Sequence, residues 1–188
     1  MPDTPQLDWL TARILGIDPG SVMGACLCNG RRREWSLCYL GCRKDLGMKL
    51  LDAEIFLRRF MREGVDVVTY ESAAYSKNPH GRAQGVLAAM RGVIQKVAAE
   101  FGVPCIGLNP STIKAFAGCC GKTTRRDKDA MVRACERLLN VTVTDHNEAD
   151  AIWIEALARH RLKMGVLFDP PKSKRRAARK SPQGKLFR

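Results

Sequence analysis

The sequence has 188 residues, of which 45% are hydrophobic, so it can form one domain with a buried core and wholesale disorder is excluded. Its 32 lysines and arginines against 19 acids give a net charge of +13, which is typical of a protein with a polyanionic partner, most often nucleic acid. No apolar stretch approaches the roughly 20 residues of a membrane span, and the N-terminus lacks a signal-peptide pattern. We therefore expect a soluble, cytoplasmic protein without membrane contact.

Three strands are predicted near the N-terminus, after an irregular lead-in at residues 1–12. Pro19-Gly20 ends the first of them, and Asn29-Gly30 between the second and the third is a strong hairpin signal. The predicted strands are residues 13–18, 22–28 and 35–40.

Helices and strands alternate in the rest of the chain. The pattern predicts helices at residues 46–62, 83–101, 110–117, 127–139 and 146–162, and strands at residues 65–70 and 103–108. A meander followed by strands with helical crossovers predicts an α/β protein with a mixed five-stranded sheet flanked by helices. From residue 166 onward a basic tail without periodicity is expected to be disordered when free.

The eight cysteines fit neither a disulfide framework nor a zinc site. The chain is long for a disulfide-stapled secreted domain, and the pairs Cys26-x-Cys28 and Cys38-x₃-Cys42 lack the spacing of common zinc modules. Cys26 and Cys28 are two apart in a predicted strand, so we expect same-face core residues. Free, reduced thiols are therefore predicted.

Three acids stand at the ends of predicted elements or on the last helix. Asp18 and Glu71 follow apolar strands, and Asp150 lies between small and apolar residues on the helix at 146–162. Taken singly, Asp18 is compatible with turn chemistry, Glu71 with an exposed strand end and Asp150 with a solvated helix position. Together, acids that converge at strand ends suit Mg²⁺ and, with two ions, the hydrolysis of a phosphodiester.

The same acids lie in segments that resemble the motifs of RuvC-type Holliday junction resolvases, nucleases of the RNase H-like superfamily. The resemblance spans residues 13–162, with the segments in the family's order. It rests on Ile14-Leu-Gly-Ile-Asp18-Pro-Gly-Ser21, Val68-Thr-Tyr-Glu71-Ser, Asn109-Pro-Ser-Thr-Ile-Lys114, Asp127-Lys128-Asp-Ala-Met-Val and Glu148-Ala-Asp150-Ala-Ile.

The resemblance implies an RNase H-like nuclease domain at residues 13–165, and the charge of residues 166–188 makes them a candidate DNA-binding tail. The resemblance also implies a magnesium-dependent crossover junction endodeoxyribonuclease, in which Mn²⁺ substitutes, and which resolves four-way DNA junctions by paired symmetric nicks. A homodimer would supply the two sites. Size, tail and cysteine content are more typical of a phage-encoded or divergent member, which would act in the cytoplasm of a bacterial host.

By the same resemblance Asp18, Glu71 and Asp150 are catalytic metal ligands. The family's fourth ligand, Asp or His, lies three residues before the last aspartate, where this chain has Asn147. An asparagine oxygen coordinates Mg²⁺ weakly and adds no charge. Asp145, His146 and Glu148 are alternatives, Asp145 having the better chemistry and His146 the better helical phase.

The expected DNA contacts come from lysines, a loop and an aromatic side chain. Lys114 and Lys128 match the family's basic residues near the scissile phosphate and are catalytic candidates; ordinary helix surface is the alternative. Tyr75 is either a stacking platform for unpaired bases or a packed loop aromatic. Further phosphate-contact candidates in neighbouring segments are Lys77, Arg82, Lys122, Arg125 and Arg126.

The tail and one helix face each allow two interpretations. Residues 172–188 contain eight bases and no acid, among them Lys174, Arg175 and Arg176, and form either an electrostatic arm or a solvated tail. On the helix at 83–101, small residues form a stripe that contacts either a second subunit or the sheet. The stripe consists of Gly85, Ala88, Ala89, Gly92 and Ala99.

Two other functions remain open. The Asn147 substitution and the basic tail also suit a less specific nuclease acting on flaps and forks. A catalytically weak junction-binding module would require the three acids to be structural. Actin-like ATPases also carry Asp-x-Gly after the first strand, but they need two duplicated domains, for which this chain is too short.

Overall fold

The computed structural model describes residues 7–43, 45–72, 82–119 and 125–167, with only the backbone described at 82–83 and 125–128. These ranges contain five strands and five α-helices in the predicted order, with element ends within two residues of the prediction except in the fourth helix. Within the described ranges, no helix is long and apolar enough to span a bilayer.

The five strands form one mixed sheet in the order β3-β2-β1-β4-β5, which confirms the predicted fold class. Strands β1 to β3 form an antiparallel meander, and β4 and β5 run parallel to β1. The strands are β1 (Ile14–Asp18), β2 (Val22–Cys28), β3 (Arg33–Tyr39), β4 (Val67–Glu71) and β5 (Cys105–Leu108).

The helices cover both faces of the sheet. They are α1 (Leu46–Arg62), α2 (Arg82–Glu100), α3 (Pro110–Phe116), α4 (Arg125–Ala134) and α5 (His146–Lys163). One hydrophobic core lies between the sheet and α3, α4 and α5, and includes Trp153. A second core lies on the other face, between the sheet and α1 and α2.

The prediction of one regular helix at residues 127–139 is wrong in two respects. The helix begins at Arg125, and its last part, Cys135–Leu139, is a π-helical turn. Asn140 closes this wider turn in the left-handed conformation, with φ of 53°, and its N–H donates to the carbonyl of Cys135. Asparagine tolerates this conformation better than most residues, which explains how the turn ends there.

Helix α5 packs closely on the sheet because two strand positions facing it are glycines. A Cβ atom on Gly16 would lie 2.6 Å from the carbonyl oxygen of Ala151, and one on Gly24 would lie 2.9 Å from the carbonyl carbon of Asn147. Both obstacles are backbone, which cannot move aside by a rotamer change. The glycines therefore set the distance between the start of α5 and strands β1 and β2.

A buried ionic network links α5 to strands β2 and β3 and fixes its position along its own axis. Glu155 is fully buried and accepts from Arg159 Nε at 2.7 Å and from Arg33 Nε, on β3, at 3.0 Å. Arg159 also donates to the main-chain carbonyls of Trp9, Ala12 and Cys28. The described part of the irregular lead-in is thereby tied to the helix.

Candidate functional site

The strand register places Asp18 beside Glu71. Ile17 on β1 pairs with Tyr70 on β4 in a parallel ladder, so the next position of that register holds the two acids. Both strands end there, and parallel strands end at the same edge of a sheet. We call this edge, with Asp18, Glu71 and Asp150, the acid edge.

Side-chain alternation directs Asp18 and Glu71 to the face covered by α5. Ile14 on β1 and Val67 on β4 belong to the core on that face. The two acids lie four positions further along their strands, and side chains an even number of positions apart share a face. Both acids are half-buried, as expected under the first turns of a covering helix.

Helix α5 brings Asp150 to the same place. Gly24, which pairs with Asp18 in the β1–β2 ladder, lies under the backbone of Asn147, and Ala151 lies over Gly16. Asp150 stands between these two contact points on the helix. The backbone of Asp150 thus lies over the same end of the sheet as Asp18 and Glu71.

The side chains at this edge do not form a closed metal cage. Within the described ranges, no three His, Cys, Asp or Glu side chains are grouped so that they could hold an ion. Mg²⁺ usually keeps several waters and is bound by one or two carboxylates together with substrate phosphates. Asp18 and Glu71, adjacent in register, can supply two such carboxylates, and the complete three-acid set stays a prediction.

Burial and two cations determine the charge state of Glu71. Burial raises the pKa of its carboxyl group, while Lys114 and Arg91 act in the opposite direction. Loss of hydration disfavours the charged carboxylate, and a nearby cation favours it. This electrostatic environment suits the binding of a divalent ion.

Lys114 acts electrostatically on Glu71 because α3 starts where β5 ends. Leu108 pairs with Glu71, and the following Asn109 caps α3 by accepting the N–H of Ser111 at 2.9 Å. Pro110 occupies the first turn, where a missing N–H costs nothing. Lys114 follows in the last turn of this short helix.

The residues around the expected fourth ligand form the N-terminal cap of α5. Asp145 is the N-cap of α5, and its Oδ1 accepts both the main-chain N–H of Asn147 at 2.7 Å and the side-chain Nδ2 at 2.8 Å. Asn147 lies one turn before Asp150, with its amide nitrogen directed to Asp145. The fourth ligand stays a prediction, with Asn147, Asp145, His146 and Glu148 as candidates.

Most predicted DNA contacts lie where side chains are not described. Residues at 73–81, 120–124 and 168–188 fall outside the described ranges, and these include Tyr75, Lys77, Lys122, Lys174, Arg175 and Arg176. Arg82 begins α2, and α4 carries Arg125, Arg126 and Lys128. Helix α4 packs on α5, where the indole N–H of Trp153 donates to the carbonyl of Met131, so α4 lies on the same face as the acid edge.

Sequence reasoning missed one cation at the acid edge. Arg91 on α2 donates from Nε to the main-chain carbonyl of Glu71 at 3.1 Å. No local pattern marks this arginine, which stands in an apolar amphipathic helix 20 positions after the acid. Only the packing of α2 against β4 brings the two together.

Comparison with known proteins identifies the fold. No protein-family model matches the chain, and no curated protein matches it. Solved structures do: RuvC of T. thermophilus in complex with Holliday junction substrate has a TM-score of 0.68 at 15% identity, over 82% of this chain and 97% of that one.

Two further solved structures are similar to this chain in fold. A Thermus thermophilus RuvC structure gives a TM-score of 0.64 at 16% identity, over 81% of this chain and 96% of that one. The yeast mitochondrial Holliday junction resolvase Ydc2 gives 0.52 at 16% identity, over 86% and 84%. The chain therefore has the RuvC-type, RNase H-like fold, and the predicted resemblance is confirmed as a likeness of fold.

Proposed function

We propose that this chain is a metal-dependent endonuclease that resolves four-way DNA junctions by paired symmetric nicks, a crossover junction endodeoxyribonuclease. The observation that carries the proposal is the strand register that sets Asp18 beside Glu71, at the end of the sheet that α5 covers, on a RuvC-type fold. The similar T. thermophilus protein is described in complex with a Holliday junction substrate.

Asp18, Glu71 and Asp150 would hold Mg²⁺, or Mn²⁺, and Asn147 or Asp145 would complete the set. The bound ions would supply Lewis-acid charge and lower the pKa of an attacking water. Hydrolysis adds the water oxygen to phosphorus and breaks the P–O3′ bond, which leaves a 5′-phosphate and a 3′-hydroxyl. Lys114, beside Glu71, would place a fixed positive charge against the phosphate, with Lys128 in the same role.

The remaining basic residues would hold the DNA by its backbone. We assign phosphate contact to Lys77, Arg82, Lys122, Arg125 and Arg126, and base stacking to Tyr75. With contacts of this kind, the protein would recognise the junction mainly by the shape of the DNA and less by its base sequence.

The tail at 166–188 would contact DNA away from the cut. Helix α5 begins at the acid edge and, at about 1.5 Å per residue, carries the chain roughly 27 Å along the sheet. It ends beside the lead-in, where Lys163 lies 4.5 Å from the ring centre of Trp9. We therefore propose a nuclease domain at 13–165 and a tail, including Lys174, Arg175 and Arg176, that adds affinity without taking part in catalysis.

Deletion of residues 172–188 is expected to weaken junction binding more at low salt than at high salt. The deletion removes eight positive charges and no negative ones. Contacts between such charges and DNA phosphates depend on salt because they release counterions. Titrations by fluorescence anisotropy across a salt series measure this directly. Cleavage at saturating protein should stay unchanged; an equal loss of affinity at all salt concentrations would contradict the electrostatic role.

The exposed stripe on α2 is the proposed dimer contact. Gly85, Ala88, Gly92 and Ala99 are exposed and Ala89 is half-buried, so the interpretation that the stripe packs on the sheet is wrong. A Cβ atom built on Gly85 or Gly92 meets no described atom within 4 Å. Small side chains allow two helices to approach closely, and a two-fold dimer provides the two sites that symmetric nicking needs.

Gly92→Glu is expected to convert the dimer to a monomer and to abolish paired nicking. The folded monomer should be unharmed, because Gly92 is exposed and glycine is itself a poor helix former, by up to about 1 kcal/mol. Light scattering after gel filtration gives the mass. Met164→Glu, at a residue 62% exposed beyond the far end of α5, is the matched control and should remain dimeric.

A substrate panel tests the proposed specificity. A four-way junction, a flap, a fork and a linear duplex of the same sequence are each incubated with Mg²⁺. Selective cutting of the junction supports the resolvase, and cutting of every branched substrate supports the broader nuclease. In the described part of the chain no three acidic side chains are grouped to hold an ion, and Asn147 stands at the fourth position; these two observations keep a weak junction-binding module as the third candidate.

A further inference from the structure

Two side chains of α2 hold the end of β4. Arg91 Nε donates to the main-chain carbonyl of Glu71 at 3.1 Å, and Gln95 Nε2 donates to the hydroxyl of Tyr70 at 2.6 Å. The donors are four positions apart and so lie on the same face of the helix. Their acceptors are consecutive residues at the point where the strand meets the acid edge.

The same peptide group, which follows Glu71, is also fixed at its N–H. Both the N–H and the side-chain hydroxyl of Ser72 donate to the carbonyl of Leu108, at 2.8 and 2.9 Å. Glu71 is thus held at its own carbonyl by α2 and at the next residue by β5. Fixing this peptide at its carbonyl and its N–H restricts the orientation of the Glu71 backbone and, with it, of the Cα–Cβ bond.

We infer that Arg91 is a positioning residue for Glu71, which aims the carboxylate at the acid edge through the main-chain carbonyl. The inference rests on the proposed function, in which Glu71 is a metal ligand. Gln95 has no such role, since its contact is to the buried tyrosine and not to the acid.

The chemistry of the side chain makes arginine specific for this task. Its planar guanidinium directs the Nε–H bond along a fixed line, whereas a lysine ammonium is a flexible point charge. Arg91 is half-buried, and its charge also opposes the effect of burial on the Glu71 carboxylate. Arg91→Lys therefore keeps the positive charge but loses the directed hydrogen bond to the Glu71 carbonyl, while Arg91→Ala loses both.

The test compares Arg91→Ala, Arg91→Lys and Gln95→Ala. Binding of Mn²⁺ to the protein alone is followed by the electron paramagnetic resonance of free Mn²⁺, with Asp18→Asn as the reference for loss of the site. Cleavage of a four-way junction at saturating protein is then measured as a function of Mg²⁺ concentration. Thermal melting of each variant reports any general loss of stability.

Arg91→Ala is expected to weaken Mn²⁺ binding, and to raise the Mg²⁺ concentration for half-maximal cleavage, by roughly 10–100-fold, the range seen when a group that orients a metal ligand is removed. Arg91→Lys should fall between this variant and the unmodified chain. Gln95→Ala, which also removes one hydrogen bond between α2 and β4, should lower the melting temperature comparably and leave both metal readouts unchanged.

Two results would overturn the inference: unchanged metal readouts in Arg91→Ala, or the same loss in Gln95→Ala, which would indicate general loosening of α2. Failure of the proposed function looks different. If the unmodified chain binds Mn²⁺ through Asp18 and cuts no DNA, the nuclease proposal fails while Mn²⁺ affinity still decides the role of Arg91. A chain that binds no Mn²⁺ overturns both.

Discussion

Asp18→Asn is expected to abolish junction cleavage and to leave junction binding at full strength or tighter. Asp18 stands at the centre of the acid edge, next in register to Glu71 on one side and paired with Gly24 on the other. The amide has the shape of the carboxylate and lacks the charge that holds a divalent ion. We expect cleavage to fall by about 10²–10³-fold or more, as when a charge-stabilising group is removed from a reaction centre.

Single-turnover cleavage of an end-labelled junction, with binding measured by anisotropy, checks this prediction. Binding should not suffer, because a negative charge near the DNA phosphates is lost. Glu63→Gln makes the same chemical change at the exposed cap of α1 and should cleave normally. Cleavage by Asp18→Asn at the unmodified rate would show that the acid edge is not the metal site.

Glu155→Ala is expected to lower the free energy of unfolding by about 3–5 kcal/mol, the cost of removing one partner of a buried ion pair. The substitution leaves Arg159, which is 8% exposed, and Arg33 without their carboxylate. It also leaves a cavity in the contact between α5 and β1, where the Glu155 backbone lies close to Gly16. Because α5 carries Asp150, we expect cleavage to decline together with stability.

Urea unfolding followed by tryptophan fluorescence measures the change, since Trp153 is 2% exposed in the adjoining core. Glu136→Ala removes an exposed carboxylate from the π-helical turn and is expected to change stability by no more than about 0.5 kcal/mol. A loss below about 1 kcal/mol for Glu155→Ala would mean that the network does not anchor the helix.

The sheet and two of its acids were predictable because local signals mark them. Asp18 and Glu71 interrupt apolar runs, and the Asn29-Gly30 turn predicts the meander that places β2 beside β1. Cys26 and Cys28 were expected on one core face, and both are buried. The alternation of apolar and polar residues in a strand, and the residue types that favour turns, involve only a few neighbouring positions and are visible in the sequence.

The contacts that orient the acids were not predictable, because they join distant parts of the chain. Arg33 and Glu155 are 122 positions apart, and no sequence pattern near either residue predicts that they form an ion pair. The contact of Arg91 with Glu71 depends on a carbonyl, which every residue has. Such contacts follow from the packing of finished elements.

The sequence around Asp145 carries a second local signal. Asp145 was considered as a metal ligand for its carboxylate, but Asp145 followed by Glu148 before an apolar helix is also the pattern of a capping box. The structure shows Asp145 as the N-cap of α5, with one oxygen engaged by Asn147. Helix capping is therefore the first role to assign to it, and its part in metal binding stays a prediction.

The most direct test of the central claim is strand-by-strand mapping of cuts in a synthetic four-way junction, labelled in turn on each strand, with Mg²⁺ or Mn²⁺. The proposed function predicts two nicks at symmetric positions across the junction, each with a 5′-phosphate that ligase can seal, and none in the matched linear duplex. Tight binding of the junction without cutting in either metal would contradict it, and would leave this RuvC-type fold as a junction-binding module.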